Sequence, residues 1–179
     1  MSPAKYEPET GTAELDLEPG AIAPVLKSIR VRANAARAFK VFTEGLGTWW
    51  PKTHHIGSSP MTKAILECRL GGRCYSEQED GTECPWGQVT VWEPPSRFVM
   101  AWQVRPNWQF ESDLSKCSEV EVTFTPVPDG STDVVLEHRY FERHGQGGSS
   151  MREQVNQAGG WGGLMELYRT EAEKPEHQA

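Results

Sequence analysis

The sequence predicts an α+β fold in which a curved antiparallel β-sheet packs against a long C-terminal helix. Residues 71–102 contain three short strand-like runs, separated by Gly-Gly, Asp-Gly and Pro-Pro turn signals. Residues 119–125 and 132–140 alternate apolar and polar side chains on either side of a Pro-Asp-Gly turn, which is typical of a β-hairpin. Residues 151–173 instead repeat apolar side chains every three to four positions, which is the period of a helix.

The chain is predicted to form one domain between two short tails. Its 179 residues suit a single domain. Residues 1–20 are polar and acidic, so they bury too little apolar surface to become ordered, and we expect a flexible tail there. The domain is predicted over residues 21–173, and residues 174–179 form a second tail.

The domain begins with a strand and two short helices. Residues 22–32 contain an alternating run, which predicts the first strand. Asn34 is a favourable N-cap for a helix that should end near Thr43, before a pair of nearby glycines. A second helical turn is expected at residues 48–50, and Pro51 ends it.

Six further strands follow, and turn or corner signals separate several of them. They are predicted at residues 61–70, 73–79, 86–92, 97–104, 119–125 and 132–140. Alternation places Trp86 and Trp92 on one face of their strand and Val89 on the other.

Two segments of the predicted fold suggest a cavity. The polar loop at residues 105–117 carries Trp108 and Phe110, which form either a lid over a cavity or a packing contact on the rim of the sheet. The C-terminal helix contains four glycines near residues 159–163, and each weakens a helix by roughly 1 kcal/mol relative to alanine. These glycines allow close approach of another backbone, or leave space between the helix and the sheet.

Composition and charge argue against several classes of function. The net charge of −7 and the pI of about 5.3 oppose nucleic-acid binding, which needs clustered Lys and Arg. No apolar run approaches the ~20 residues of a membrane span, and residues 1–20 lack the pattern of a signal peptide. The four cysteines have no CxxC spacing. Their even number would allow disulfides, but without a signal-peptide pattern we expect reduced thiols in a cytoplasmic protein.

No metal or cofactor is expected. His54 and His55 are adjacent, so they cannot easily bind one metal ion on a regular element, and no Cys, Asp or Glu lies nearby at ligand spacing. The Gly-rich run at residues 143–150 lacks the GxxxxGK[ST] pattern of a phosphate-binding loop.

Four runs of the sequence carry a characteristic set of short motifs, which in chain order are GG, DG, WG, W-EPP, W, LEH and GW. The runs are AFKVFTEGLGTWWP, ECRLGGRCYSEQEDGTECPWGQVTVWEPPSRFVMAW, EVEVTFTPVPDGSTDVVLEHRYFERHG and GGWGGLMELY. Together they resemble the activator-of-heat-shock-protein-90-ATPase homologue-like family over residues 22–172. That family belongs to the SRPBCC or START-like superfamily. The resemblance therefore implies the helix-grip fold, a curved antiparallel sheet wrapped around a long C-terminal helix, with two short helices after the first strand.

The resemblance also implies a range of functions. Members of the superfamily bind lipids, polyketides, hormones or other apolar molecules in a deep cavity between the sheet and the long helix. We therefore expect a small hydrophobic or aromatic ligand in such a cavity. One alternative is a chaperone-interacting protein that resembles activators of the heat-shock-protein-90 ATPase. Another is a cyclase- or hydrolase-like enzyme, since a fold does not fix a function.

The predicted orientation of strand and helix residues gives a set of candidate ligand-binding side chains. Most are aromatic, as in a small-molecule pocket with few polar groups. The alternative is that these side chains simply fill the core. The candidates are Trp49, Trp50, Tyr75, Trp92, Trp102, Phe124, His138, Trp161 and Met165.

Four polar side chains are also predicted to face the cavity: Glu67, Arg73, Glu77 and His138. A carboxylate beside a histidine in a partly apolar cavity can perform acid–base chemistry, so Glu67 and His138 are the catalytic candidates of the enzyme alternative. The competing interpretation is a structural ion pair of Arg73 with Glu67 or Glu77 on neighbouring strands. No GxSxG nucleophile motif is present.

Overall fold

A computed structural model describes residues 20–175 of the protein. The tails predicted at residues 1–20 and 174–179 therefore lie almost entirely outside the described residues. Among the helices that are described, none is long and apolar enough to cross a membrane.

The described chain contains seven strands and four α-helices. In chain order they are β1 (Val25–Val31), α1 (Ala35–Thr43), α2 (Leu46–Trp49), β2 (Met61–Leu66), β3 (Arg73–Gln78), β4 (Glu83–Glu93), β5 (Arg97–Trp102), β6 (Ser118–Pro126), β7 (Thr132–Arg139), α3 (Gly148–Val155) and α4 (Trp161–Ala172). Two short 3₁₀ turns, Leu114–Lys116 and Phe141–His144, precede β6 and α3.

The strands form an antiparallel sheet in the order β1-β7-β6-β5-β4-β3-β2, curled into a half-barrel. Helices α1 and α2 connect its two edge strands, β1 and β2. The predicted α+β helix-grip architecture is confirmed, including the two short helices after the first strand.

Helix α1 forms where its capping signal predicts. The side chain of Asn34 accepts a hydrogen bond from the backbone N–H of Arg37 at 2.9 Å, which satisfies one of the free donors of the first turn. The helix buries Phe39 and Phe42 against the sheet and α4. Tyr168 of α4 completes this contact, because its ring centroid lies 4.8 Å from that of Phe42.

Strand β4 departs from the predicted alternation. Trp86, Val89 and Trp92 all pack on the same hydrophobic core, although period two placed Val89 opposite the two tryptophans. The reason is two irregularities in register, one at Trp86 against β3 and one at Thr90 against β5. Each adds a residue to β4 and so exchanges the two faces of the strand.

The long C-terminal helix is interrupted, and here the prediction of one continuous helix is wrong. Helix α3 ends at Val155, and α4 begins at Trp161. A Cβ atom at Gly160 would lie 2.1 Å from the carbonyl oxygen of Val155, so only glycine permits this close turn of the backbone. The strand predicted at residues 61–70 is also shorter, because the chain turns after Leu66.

Candidate functional site

A cavity of about 440 Å³ opens where the ends of β4 and β5 face the break between α3 and α4. Five of the seven tryptophans of the chain line it. Its described lining contains no Asp, Glu, Lys or Arg. The lining residues are Trp50, Thr53, His54, His55, Ile56, Trp86, Trp102, Val104, Trp108, Gln154, Val155, Gln157, Gly159, Gly160, Trp161 and Leu164.

Four of these tryptophans form a closed ring of aromatic contacts. Trp50 stacks on Trp86 with ring centroids 4.9 Å apart. Trp86 meets Trp102 edge to face at 5.7 Å, and Trp102 meets Trp161 at the same distance. Trp161 returns to Trp50 at 6.0 Å. Such pairs contribute about 0.5–1.5 kcal/mol each beyond their buried area, so their contacts stabilise an apolar wall of the cavity.

Each member of the ring lies at an irregular point of the fold. Trp50 follows the last residue of α2, Trp102 ends β5 and Trp161 begins α4. Trp86 lies at the first irregularity of β4. The wall therefore combines side chains from β4, β5, α4 and the residue that follows α2. Trp108, from the loop between β5 and β6, lines the mouth and is 44% exposed.

The indole nitrogens of the ring differ in their hydrogen bonds. Trp50 Nε1 donates to the carbonyl oxygen of His54 at 2.8 Å, and Trp161 Nε1 donates to His138 Nδ1 at 3.0 Å. Within residues 20–175, the buried Nε1 atoms of Trp86 and Trp102 have no hydrogen-bond partner. A buried donor without a partner costs about 1–3 kcal/mol.

A chain of hydrogen bonds supports Trp161 from behind. The indole N–H only donates, so His138 Nδ1 accepts and the proton of the neutral ring is on Nε2. That N–H lies 2.7 Å from Ser118 Oγ, which lies 2.7 Å from His144 Nε2. Burial, with the nearby His144 as a smaller cause, lowers the pKa of His138 well below its ordinary value. Burial likewise lowers the pKa of His144, although Glu111 opposes this effect.

Two histidines are the titratable side chains of the described lining. His54 Nε2 lies 2.7 Å from the carbonyl oxygen of Gly159. A carbonyl only accepts, so His54 Nε2 donates this bond and fastens the loop at residues 51–60 to the break between α3 and α4. His55 Nδ1 lies 3.2 Å from Gln78 Nε2, on the buried side of β3.

The structure brings three of the predicted ligand-binding residues into the lining, namely Trp50, Trp102 and Trp161. Four others are buried in the protein interior outside it, namely Trp49, Phe124, His138 and Met165. The remaining two lie farther along the sheet. Tyr75 packs under the Arg73 guanidinium, whose carbon lies 4.2 Å from the ring centroid, and Trp92 packs on Phe39 with centroids 5.1 Å apart.

The predicted polar residues Glu67, Arg73 and Glu77 form ion pairs outside the cavity lining. Arg73 Nε lies 3.2 Å from Glu67 Oε1, and its Nη1 lies 2.8 Å from Glu83 Oε2. Hydrogen bonds from the backbone and side chain of Arg73 lower the pKa of Glu67. Glu77 pairs with Lys63 at 3.3 Å. The sequence-based alternative of an ion pair between Arg73 and Glu67 is present, whereas Glu77 pairs with Lys63 and not with Arg73. Glu67 and His138 have separate partners.

Sequence reasoning missed the side chains that depend on irregular backbone. Trp86 was placed on a strand face but not in the cavity, because alternation cannot locate a β-bulge. His54, Val155 and Leu164 were also missed, since they reach the cavity through a loop and through the helix break. The aromatic loop was a usable signal, because Trp108 does line the mouth. Its neighbour Phe110 does not.

The sequence profile described as Activator of Hsp90 ATPase homolog 1-like protein matches residues 32–166. Among solved structures, the chain is similar to Txn09, an anthrahydroquino-Gama-pyrone synthase. The two are 33% identical, the match covers 86% of this chain and 99% of that chain, and the TM-score is 0.60.

Two less similar structures support the fold alone. CalC, a self-sacrificing resistance protein from Micromonospora echinospora, is 24% identical over 87% of this chain and 97% of that chain, with a TM-score of 0.60. Protein NE0264 from Nitrosomonas europaea is 12% identical over 88% and 97%, with a TM-score of 0.59. No curated protein matches the sequence of this chain.

Proposed function

This chain belongs to the Activator of Hsp90 ATPase homolog 1-like family, and on that premise we propose that it binds a planar aromatic small molecule in the tryptophan-lined cavity. The observation that carries the proposal is the closed ring of Trp50, Trp86, Trp102 and Trp161 beside a cavity of about 440 Å³. Flat aromatic walls favour flat aromatic ligands, because offset stacking and edge-to-face contacts need matching surfaces.

The size and charge of the cavity support the same class of ligand. Small-molecule sites usually enclose about 300–1,000 Å³ and are mostly apolar. The described lining has no carboxylate, ammonium or guanidinium group, so a charged ligand would lose hydration without gaining a charged partner. A neutral, mostly apolar ligand therefore suits the cavity.

The family relative that is 33% identical adds chemical support. That relative is named as a synthase of an anthrahydroquino-Gama-pyrone, which is a fused aromatic compound. A synthase-like activity on such a ligand is the second candidate for this chain. It would rest on His54 and His55, which line the cavity, and not on Glu67 and His138, which do not. The chaperone alternative rests on family membership, and it predicts a change in the ATPase rate of the chaperone. We expect either role in the cytoplasm, where the four free thiols would stay reduced.

Equilibrium dialysis with fluorene, a neutral planar hydrocarbon, tests the binding proposal. We expect saturable binding at one site per chain. Replacing Trp108 at the mouth by Ala should weaken it about tenfold, because an aromatic contact worth roughly 1.4 kcal/mol is lost.

The matched control is Phe110→Ala, an exposed aromatic of the same loop that does not line the cavity. The affinity of this variant for fluorene should stay within about twofold of the affinity of the unchanged protein. Absence of saturable binding, or equal losses in the two variants, would overturn the proposal.

A further inference from the structure

The tryptophan ring contains two indole N–H groups that the protein leaves without an acceptor. By contrast, the indole N–H groups of three other buried tryptophans have acceptors. Trp49 and Trp50 donate to backbone carbonyl oxygens at 3.0 and 2.8 Å, and Trp161 donates to a histidine nitrogen at 3.0 Å. In the part of the chain that the structure describes, Trp86 Nε1 and Trp102 Nε1 have no such partner, and each atom exposes less than 1 Å². Buried donors in native proteins are normally paired.

The two unpaired donors belong to neighbouring strands. Trp102 is paired across the sheet with Gly87, the residue after Trp86. Their ring centroids are 5.7 Å apart at an interplanar angle of 71°. A neighbouring aromatic face is at best a weak acceptor for an N–H group, so it satisfies such a donor less well than an oxygen atom does. Both rings line the cavity.

We propose that the cavity selects planar aromatic molecules that carry a carbonyl oxygen on the ring system, as aryl ketones and quinones do. That oxygen accepts a hydrogen bond from the indole N–H of Trp86 or Trp102. Each of these N–H groups exposes less than 1 Å² in this structure, so the indole turns toward the ligand when the ligand binds. The proposal rests on the proposed function and names the ligand class of the same site.

The acceptor is a neutral carbonyl and not a carboxylate. A carboxylate inside this cavity would have no cationic side chain beside it, since the described lining lacks Lys and Arg. The two indole donors are neutral, and they offer an uncharged oxygen the hydrogen bonds that it gives up on leaving water. A neutral aryl ketone therefore gains a partner at little cost of desolvation.

Fluorene and fluorenone test this inference, because they share one planar skeleton and differ only in a methylene or a carbonyl group. Equilibrium dialysis should show that fluorenone binds about fivefold or more tightly than fluorene, although it is the less hydrophobic of the two. The variants Trp86→Phe and Trp102→Phe keep an aromatic ring but lose the N–H, so each should bind fluorenone with a smaller preference. The double variant should bind fluorenone and fluorene with about equal affinity.

The matched control is Trp92→Phe, the same substitution on the same strand but outside the cavity lining. It should keep the full preference for fluorenone. If the unchanged protein binds both compounds without preferring fluorenone, the inference is wrong and the proposed function stands. If it binds neither compound, the proposed function itself fails. A preference that persists in the double variant assigns the oxygen to another donor and overturns the roles of Trp86 and Trp102.

A second measurement does not depend on the folding of the variants. Proton–nitrogen NMR spectra of the unchanged protein resolve one indole N–H signal for each tryptophan. Saturation with fluorenone, compared with fluorene, should move one or two of these signals downfield, as new hydrogen bonds to oxygen form. Equal spectra with the two compounds would contradict the inference.

Discussion

At the scale of the residue, His138 must stay neutral for the cavity wall to keep its hydrogen bonds. Its Nδ1 accepts from Trp161, and a proton on that nitrogen would leave the indole N–H facing another donor. The ring is fully buried, and burial lowers its pKa. The unfolded chain binds a proton at an ordinary histidine pKa of about 6.5. The contribution of neutral His138 to the free energy of unfolding is therefore complete above that pH, and it is lost as the pH falls below it.

We predict that the free energy of unfolding decreases between about pH 7.5 and pH 5.5. The loss from His138 should approach about 1.4 kcal/mol for each pH unit below ~6.5, until the folded pKa is reached. His144, whose pKa is lowered in the same direction, adds to the loss. Urea denaturation at the two pH values measures it.

His138→Gln is the diagnostic variant, because an amide can both accept and donate but does not titrate in this range. Its stability should depend less on pH than that of the unchanged protein. Carboxylates with lowered pKa values, such as Glu67, lose their contribution to the free energy of unfolding only at lower pH, so they do not affect this comparison. Equal pH dependence in the two proteins would show that His138 does not carry the effect.

The inward position of His138 could be predicted from the sequence, but its partners could not. Alternation along its strand places Val134, Leu136 and His138 on one face, and all three are fully buried. The hydrogen-bonding partners Ser118 and His144 come from a neighbouring strand and from a turn. No local pattern links residues at such separations. For the same reason the predicted pairing of Glu67 with a histidine had no basis in register.

At the scale of the element, the break between α3 and α4 shapes one wall of the cavity. Gln154 and Val155 end α3, Gly160 lies in the break and Trp161 begins α4, and all four line the cavity. Apolar spacing suggested a continuous helix, because Val155 and Trp161 both face inward across the break. A glycine lowers helix propensity but does not by itself stop a helix. The stop depends on a close backbone contact that the sequence does not reveal.

We predict that Gly160→Ala destabilises the protein by about 1–3 kcal/mol. The added Cβ would meet the carbonyl oxygen and carbon of Val155 at 2.1 and 2.6 Å, and these backbone atoms cannot move without shifting the end of α3. The same shift should weaken fluorene binding. Urea denaturation and dialysis measure the two effects.

The adjacent Gly159→Ala provides the control, because a Cβ there has no atom within 4 Å and its backbone is not left-handed. This variant should stay within about 0.5 kcal/mol of the unchanged protein, or be slightly more stable. The hydrogen bond from His54 uses the carbonyl oxygen of Gly159 and is retained. Equal destabilisation by the two substitutions would mean that the break tolerates no side chain at all.

At the scale of the whole molecule, the cavity combines segments that are far apart in the chain. The antiparallel sheet and the helix that covers it follow from turn signals, alternation and family resemblance. The position of the cavity along the sheet does not. Residues 61–79 at the β2–β3 edge carry Glu67, Arg73 and Tyr75, which lie outside the lining, whereas the ends of β4 and β5 contribute Trp86 and Trp102. Two irregularities in β4 and one helix break decide this placement.

We therefore predict a specific pattern of hydrogen exchange when fluorene is bound. Amides in residues 50–56, 102–108 and 154–164 should exchange more slowly, because their local opening disrupts the cavity wall. Slowing should be roughly tenfold when free fluorene is about ten times its Kd. The exchange rates of residues 61–79 should change much less.

Mass spectrometry of peptic fragments measures all of these segments in one experiment. The variant Trp108→Ala at the same fluorene concentration serves as a control with weakened binding. Strong protection of residues 61–79 would instead place the ligand at the sheet edge that alternation alone suggested.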